Sequence, residues 1–234
     1  MSPGRGGPQQ IPRPPGVRPG EPPPWAKVPA ADRIGIRLAR VRTALGALGP
    51  PRRPELVLPG ARSAAVLVPL FEEDGETRVV LTRRTTTLPS HRGEVSFPGG
   101  KVIEGEELRV AALREADEEI GLAPPTVEVV AELDHLATVA SRFVLAPFVG
   151  VLTDRPVLRP NPHEVDRVFD VSLTELFEDD VFREERWEIF GEERPVFFFE
   201  LFGDTVWGAT ARILYQLLTL ILFDGHAGPP PAAL

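Results

Sequence analysis

The chain has 234 residues, 42% of them apolar, which predicts one globular domain with a sizeable core and residues left over at its ends. The formal net charge of -8 at pH 7 argues against binding of duplex nucleic acid, but not against a small phosphorylated substrate whose charge a metal ion offsets. The sequence has no cysteine, which excludes disulfides, thiolate zinc sites and a cysteine nucleophile.

Residues 1–31 are rich in proline and glycine and have almost no apolar periodicity. A segment of this composition buries too little apolar surface to offset the entropy lost on ordering, so we expect a disordered tail. Deletion of residues 1–24 is expected to leave activity near normal. A partner-binding role for this proline-rich stretch is the alternative. Because the tail lacks the apolar core of a signal peptide, we expect a cytoplasmic protein. The folded domain is predicted over residues 32–226, and residues 227–234 form a short flexible tail.

A helix and a hairpin are the first elements of the predicted domain. Apolar residues recur at helical spacing over residues 31–48, and a glycine and two prolines end that helix. Residues 61–71 are apolar and β-branched, as is typical of a buried strand, and residues 78–83 form a second strand after an acidic turn. Residues 84–96 are polar, so we expect a long loop of a size that often has a function.

The next predicted helix has the clearest chemical signal. It begins near Glu106 and ends at Gly121, where a left-handed cap costs little. Three carboxylates, those of Glu115, Glu118 and Glu119, fall within one ~100° arc beside the apolar stripe of the helix. Like charges at this spacing repel each other, and more strongly as water is excluded. A divalent cation bound between them would make the clustering of the carboxylates favourable. Mg²⁺, which prefers oxygen ligands, is the natural candidate.

The rest of the chain combines strands with a final helix. Strands are predicted over residues 127–136, 142–153, 187–190 and 196–201, with mixed strand and short-helix signals over residues 165–176. Residues 205–223 are apolar and helical, but Gly208, Arg212 and Gln216 interrupt them and they are barely long enough to cross a ~30 Å bilayer core. We therefore expect a buried or interface helix, in a monomer or a homodimer. The order of elements predicts a mixed α/β layer fold.

The glycines and charges around the acidic helix stand at informative intervals. They occur at Gly100, Glu106, Arg114, Glu115, Glu118, Glu119 and Gly121. This spacing resembles the Nudix box, G-x5-E-x7-R-E-U-x-E-E-x-G-U, where U is a bulky apolar residue, and Ala116 alone is small for its place. The resemblance implies an α/β/α sandwich around a mixed β-sheet. It also implies hydrolysis of the pyrophosphate of a nucleoside diphosphate linked to another moiety.

The resemblance to the Nudix family implies roles for individual residues. The expected ligands of Mg²⁺ or Mn²⁺ are three side chains and one backbone carbonyl: Glu115, Glu118, Glu119 and Gly99. Arg114 is expected to orient the carboxylates through ion pairs, and Glu106 to pair with Arg114 as a structural residue. The general base stays open between a glutamate of the box and Glu164, which follows a proline-rich loop.

The stretch before the box is similar to the signature of the coenzyme A diphosphatase subfamily, L-L-T-x-R-[S/A]-x3-R-x3-G-x3-F-P-G-G. Its spacing is kept through Gly93 to Phe97. Three positions depart from it: Val80, Thr85 and Pro89. The departure at Pro89 matters most, because an arginine that could meet a phosphate is usual there. Similarity to that subfamily also extends to residues 141–150 and 206–211.

This second resemblance implies a small-molecule nucleotide substrate, coenzyme A or a derivative, cut into adenosine 3',5'-bisphosphate and 4'-phosphopantetheine. Arg83, Arg84 and Arg92 become candidate contacts to its phosphates, and Arg92, three positions after Pro89, is the candidate to replace the missing arginine. Two alternatives stay open. One is the same chemistry on ADP-ribose, dinucleotides or nucleoside triphosphates, and the other is a non-catalytic nucleotide-binding Nudix domain. No membrane or nucleic-acid partner is expected.

Overall fold

Two β-sheets and four α-helices make up the part of the chain that the structure describes. The structure is a computed structural model and describes residues 4–55, 57–88, 91–138 and 142–225. The strands are β1 (Arg18–Pro19), β2 (Arg62–Glu73), β3 (Glu76–Arg84), β4 (Val95–Ser96), β5 (Gly99–Lys101), β6 (Glu128–Glu132), β7 (Leu136–Ala137), β8 (Phe143–Val151), β9 (Val165–Ser172), β10 (Phe182–Ile189), β11 (Glu192–Leu201) and β12 (Asp204–Trp207). The helices are α1 (Leu38–Gly46), α2 (Leu108–Ile120), α3 (Leu173–Leu176) and α4 (Gly208–Leu222).

The larger sheet has eight strands and is mixed. Its central path runs β4-β3-β2-β8-β6, with β5 paired to β2, β7 to β8 and β9 to β3. The β2–β8 pair is parallel, with Arg62 opposite Phe143 and Leu70 opposite Val151, while the other pairs are antiparallel. The smaller sheet is antiparallel, in the order β1-β10-β11-β12.

Helices cover both faces of the larger sheet. Because side chains alternate along a strand, Ala65 and Leu67 of β2 pack against α2, whereas Val66, Val68 and Leu70 pack with α1 and α4 on the opposite face. The central strands are therefore buried on both sides, which explains their continuous apolar runs. This layering confirms the predicted α/β fold around a mixed sheet.

A fork in the sheet determines where the acidic helix meets the backbone. β2 pairs with β3 from Leu70 to Glu73, and the two strands then diverge. β5 pairs with β2 at residues 64–66, and β4 pairs with β3 at residues 82–83. The link between β4 and β5 closes the fork and places Gly99 beside α2.

The last helix is shorter than the sequence pattern predicts. Thr205 and Val206 belong to β12, where they pair with Glu200 and Phe199, so α4 begins at Gly208. Gly208 has a φ of +61°, which lets the chain turn from strand to helix. None of the helices in the described ranges has the length and apolar run needed to cross a bilayer.

The amino-terminal segment, residues 4–28, differs from the disordered tail that its composition predicts. Gly6 and β1 extend the smaller sheet, and Trp25 is 1% exposed among Phe177, Phe182 and other aromatic rings. One tryptophan supplies buried area that an average over the whole segment conceals. The predicted tail over 227–234 lies outside the described residues, as does Pro89.

Candidate active site

Helix α2 is positioned by its apolar face and by a glycine cap. Ala112, Ala116 and Ile120 are fully buried against the larger sheet. Gly121 ends the helix with a φ of +67°, and its N–H bonds back to carbonyls of the last turn. The left-handed cap predicted at Gly121 is therefore present. The helix begins at Leu108, two residues later than Glu106.

Glu119 is the most buried of the three predicted carboxylates, with its side chain 2% exposed. Its Oε2 accepts the N–H of Gly99 at 3.1 Å, and its Oε1 lies 3.4 Å from Nη1 of Arg84. A Cβ on Gly99 would collide with the backbone of β2. Glycine therefore allows β5 to lie between β2 and this carboxylate.

Glu115 lies next to Glu119 and is largely buried, whereas Glu118 points outwards. The Glu115 side chain is 16% exposed, and a Cβ on Gly100 would collide with its carboxylate. The Glu118 side chain is 56% exposed. The structure thus brings two of the three carboxylates, together with the two glycines, to the fork of the sheet.

Arg114 holds the acidic side chains in place. Its Nε and Nη2 donate to the two oxygens of Glu106 at 2.8 and 3.0 Å, as expected for the predicted pair. Its Nη1 donates to Glu115 at 2.8 Å and to Glu118 at 3.2 Å, and Nη2 also donates to the carbonyl of Lys101 at 3.1 Å. A guanidinium suits this task because its donors form a rigid planar fork.

Burial changes the protonation of the two inner carboxylates. Loss of solvent raises the pKa of Glu119 to about 7, against the opposing effects of the Gly99 N–H and Arg84. Loss of solvent also raises the pKa of Glu115, although Arg114 counteracts it. The charge of Glu164 raises both pKa values further. The negative charge of these carboxylates is only partly neutralised by neighbouring groups, so a bound cation would stabilise their ionised forms.

Glu164 reaches this cluster through the loop that follows β8. The N–H of Asn161 donates to the carbonyl of Glu119 at 2.8 Å, and the N–H of Glu164 donates to the carbonyl of Asn161 at 3.0 Å. The carbonyl of Glu164 accepts the N–H of Thr85 at 2.9 Å. The loop is therefore bonded to both the acidic helix and the end of β3.

The three arginines named from the sequence have different surroundings. Arg84 reaches the carboxylate cluster through Glu119. Arg83 is bound instead by Asp166, at 2.8 Å, and by Asp204, at 3.3 Å. Nε of Arg92 donates to the carbonyl of Leu88 at 2.7 Å, within its own loop. Arg84 is thus the one of these three for which the structure records an ion pair with the acidic cluster.

Sequence reasoning did not identify Asp204, whose side chain is 1% exposed and also lies 3.5 Å from Nη1 of Arg167. In the sequence it follows Gly203 and looks like an ordinary turn residue. Its ion pair with Arg83 joins positions 121 residues apart, so no local pattern could have revealed it.

A family model and the relatives with similar sequences all point to the same protein family. A family model described as NUDIX domain matches residues 61–191. Nudix hydrolase 22, chloroplastic, of Arabidopsis thaliana is 44% identical over 168 residues, which cover 68% of this chain and 55% of the relative. Uncharacterized Nudix hydrolase NudL of Photorhabdus laumondii is 35% identical over 168 residues, covering 71% of this chain and 89% of the relative.

A solved structure, the Ap4A hydrolase binary complex of C. elegans, is 20% identical, covers 47% of this chain and 80% of its own, and has a TM-score of 0.41. Nudix hydrolase 15, mitochondrial, of Arabidopsis thaliana is 42% identical over 163 residues, which cover 66% of this chain and 57% of the relative. The chain therefore spans little more than half the length of the two Arabidopsis relatives. The family model covers more than half of the chain, and it includes the fork and the acidic helix. The chain belongs to the Nudix hydrolase family.

Proposed function

We propose that the protein hydrolyses the pyrophosphate bond of a small nucleotide substrate, with coenzyme A or a derivative as the substrate class. The observation that carries the proposal is the pair of inner carboxylates, Glu115 and Glu119, held side by side at the fork of the sheet. A guanidinium, that of Arg84, contacts one of them at 3.4 Å. Such a site combines negative groups that attract metal ions with a cation that suits a phosphate.

The donor atoms fit a divalent cation such as Mg²⁺ or Mn²⁺. Within the described part of the chain, no three acidic, histidine or cysteine side chains are grouped closely enough to hold a metal by themselves. Mg²⁺ does not require such a group, because proteins usually bind it through one or two carboxylates together with substrate phosphates and water. Glu115 and Glu119 would supply the carboxylates. The carbonyl oxygen of Gly99 is a further candidate ligand for the metal. The N–H and C=O of a residue in a strand point to the same side, and the N–H of Gly99 points to Glu119.

A bound divalent cation supplies charge neutralisation and lowers the pKa of a bound water. The side chains of this protein have three tasks around it. Arg114 holds Glu115 in orientation through its bond at 2.8 Å. Arg84 lies at the edge of the cluster, where it can bind a phosphate oxygen. Glu118, which is exposed, is assigned a lesser role as an outer ligand.

Glu164 is the general base in this proposal. Its loop is hydrogen-bonded to the carbonyl of Glu119 and to Thr85, which supports a position near the reacting centre outside the helix. The charge of Glu164 also raises the pKa of both inner carboxylates. A base on a separate loop leaves Glu115 and Glu119 free to act as ligands. A glutamate of the box is the alternative base.

The substrate assignment rests on the signature of the coenzyme A diphosphatase subfamily before the box. Arg84 belongs to that signature and lies at the cluster. Arg83 stands at the unspecified position just before it, and its ion pairs with Asp166 and Asp204 give it a structural role here. The names of the relatives specify no substrate, and ADP-ribose, dinucleotides and nucleoside triphosphates remain the alternative class. Since two relatives are named chloroplastic and mitochondrial, the cytoplasmic location also remains a prediction.

A substrate panel tests the proposal. The protein is incubated with Mg²⁺ or Mn²⁺ and coenzyme A, acyl-coenzyme A, ADP-ribose, NADH or a nucleoside triphosphate, and products are separated by chromatography. Release of 4'-phosphopantetheine supports the proposal. Turnover of ADP-ribose alone refutes the substrate class, and binding of nucleotide without any turnover indicates a non-catalytic domain. Glu164→Gln, measured on the best substrate, separates the two candidate bases.

A further inference from the structure

The amino-terminal segment, residues 4–28, contacts the loop that leads from β3 into the active site. The carboxamide of Gln9 makes this contact. Its Nε2 donates to the carbonyl of Gly93 at 3.2 Å and to Oδ1 of Asp204 at 2.8 Å. Its Oε1 accepts the N–H of Thr205 at 2.8 Å. One side chain therefore bridges β12 and the β3–β4 loop with both its donor and acceptor groups.

The approach of the segment to β12 is close. Gly7 donates its N–H to Oγ1 of Thr205 at 3.0 Å, and a Cβ on Gly7 would collide with the backbone of Asp204 and with the Gln9 carboxamide. Gly6 donates its N–H to the carbonyl of Leu201 at 2.7 Å. Further along, Trp25 is buried among aromatic rings. The segment is thus held on both sides of Gln9.

A short series of contacts connects Gln9 to the most buried carboxylate. Gly93 precedes Glu94, whose carbonyl accepts the N–H of Arg84 at 3.0 Å. The guanidinium of Arg84 then lies 3.4 Å from Oε1 of Glu119. A shift of the loop at Gly93 would therefore move the backbone of the arginine that faces the active site.

We propose that Gln9 is a positioning residue for substrate binding, which acts by holding the β3–β4 loop and, through it, Arg84. The amino-terminal segment then contributes to substrate binding by the folded domain. The expected change in KM rests on the proposed function, whereas the restraint of the loop by Gln9 does not depend on it. Gln9 touches no substrate in this account, so its loss weakens binding and leaves the chemical step intact.

The test compares Gln9→Ala with Gln10→Ala in the full chain. Gln10 is the matched control, because it is the same residue type next along the chain and is exposed. KM and kcat are measured with coenzyme A and Mg²⁺. Amide hydrogen exchange at Arg84 and Glu94 is measured in the same proteins without substrate.

Gln9→Ala removes three side-chain hydrogen bonds, of which the neutral bond to the Gly93 carbonyl is the one that reaches the loop. Loss of that bond predicts a KM about three- to tenfold higher, with kcat within about twofold of the wild type. Exchange at Arg84 and Glu94 should become faster in this variant alone. An unchanged KM, an equal KM rise in Gln10→Ala, or a lower melting temperature without a KM change would overturn the proposal. If the wild type hydrolyses nothing, the proposed function fails, and the exchange measurement alone decides whether Gln9 holds the loop.

Discussion

Replacing Glu119 by glutamine should stabilise the metal-free protein above pH 7. Burial is the main cause that raises the pKa of Glu119 from 4.5 to about 7. At 1.36 kcal/mol for each pKa unit, this amounts to about 3 kcal/mol of unfavourable folding free energy once the group is ionised. Below pH 4.5 the carboxyl is protonated in both folded and unfolded chains, so there is no penalty. As pH rises towards 7 the unfolded chain loses a proton that the folded chain keeps, and stability falls.

Thermal unfolding in EDTA at about pH 8 and about pH 5 measures this penalty. Glutamine keeps an oxygen for the Gly99 N–H and removes the charge. For a chain of this size, Glu119→Gln should melt about 6–12 °C above the wild type at the higher pH and within about 3 °C at the lower pH. Glu118→Gln is the control, because its side chain is 56% exposed and should change little at either pH. A variant less stable than the wild type at pH 8, or an equal gain at both pH values, would refute the reasoning.

The activity of Glu119→Gln, two further substitutions and one truncation test other parts of the account. Glu119→Gln should lower kcat by about 100-fold or more with Mg²⁺, because a charged carboxylate ligand is replaced by a neutral amide; near-normal turnover would contradict the ligand assignment. Arg114→Lys should lower kcat about 10- to 100-fold, since an ammonium cannot keep the two bonds to Glu106; an unchanged kcat would show that orientation is unimportant. Asp204→Asn should cost about 1–3 kcal/mol in urea unfolding, and no loss would mean that Arg83 does not depend on it. Removing residues 1–24 should raise KM, contrary to the expectation from composition, because Gln9 is removed with them; wild-type KM would favour an idle tail.

Local spacing was enough to predict much of the candidate site. The left-handed cap at Gly121 follows from the end of the helical pattern at a glycine. The Glu106–Arg114 pair was expected instead from the resemblance to the Nudix box. The apolar stripe likewise predicted that the carboxylates would lie beside a buried face. The four-residue interval already favours Glu115 and Glu119 as the pair of ligands on one face of the helix. The burial of Glu119 and the exposure of Glu118 arise from the fork of the sheet against the helix, which no local pattern contains.

Contacts between distant parts of the chain could not be predicted. Asp204 meets Arg83 across 121 positions, and Gln9 meets Gly93 across 84. The amino-terminal segment shows the limit of composition: proline and glycine predict disorder, but a few anchoring groups such as Trp25 suffice to bind the segment to a folded sheet. Thr205 and Val206 were predicted to begin the last helix but belong to β12, because pairing with β11 overrides the local helical pattern.

Uptake of Mn²⁺ tests the central claim most directly, since the paired carboxylates at the fork should bind a divalent cation. Electron paramagnetic resonance of Mn²⁺ titrated into the protein at about pH 8, with and without nucleotide, separates free from bound ion. The account predicts uptake by the wild type, at least about tenfold weaker binding in Glu119→Gln, and a smaller change in Glu118→Gln. A wild-type protein that leaves all the Mn²⁺ free, with nucleotide as well as without it, would contradict the account.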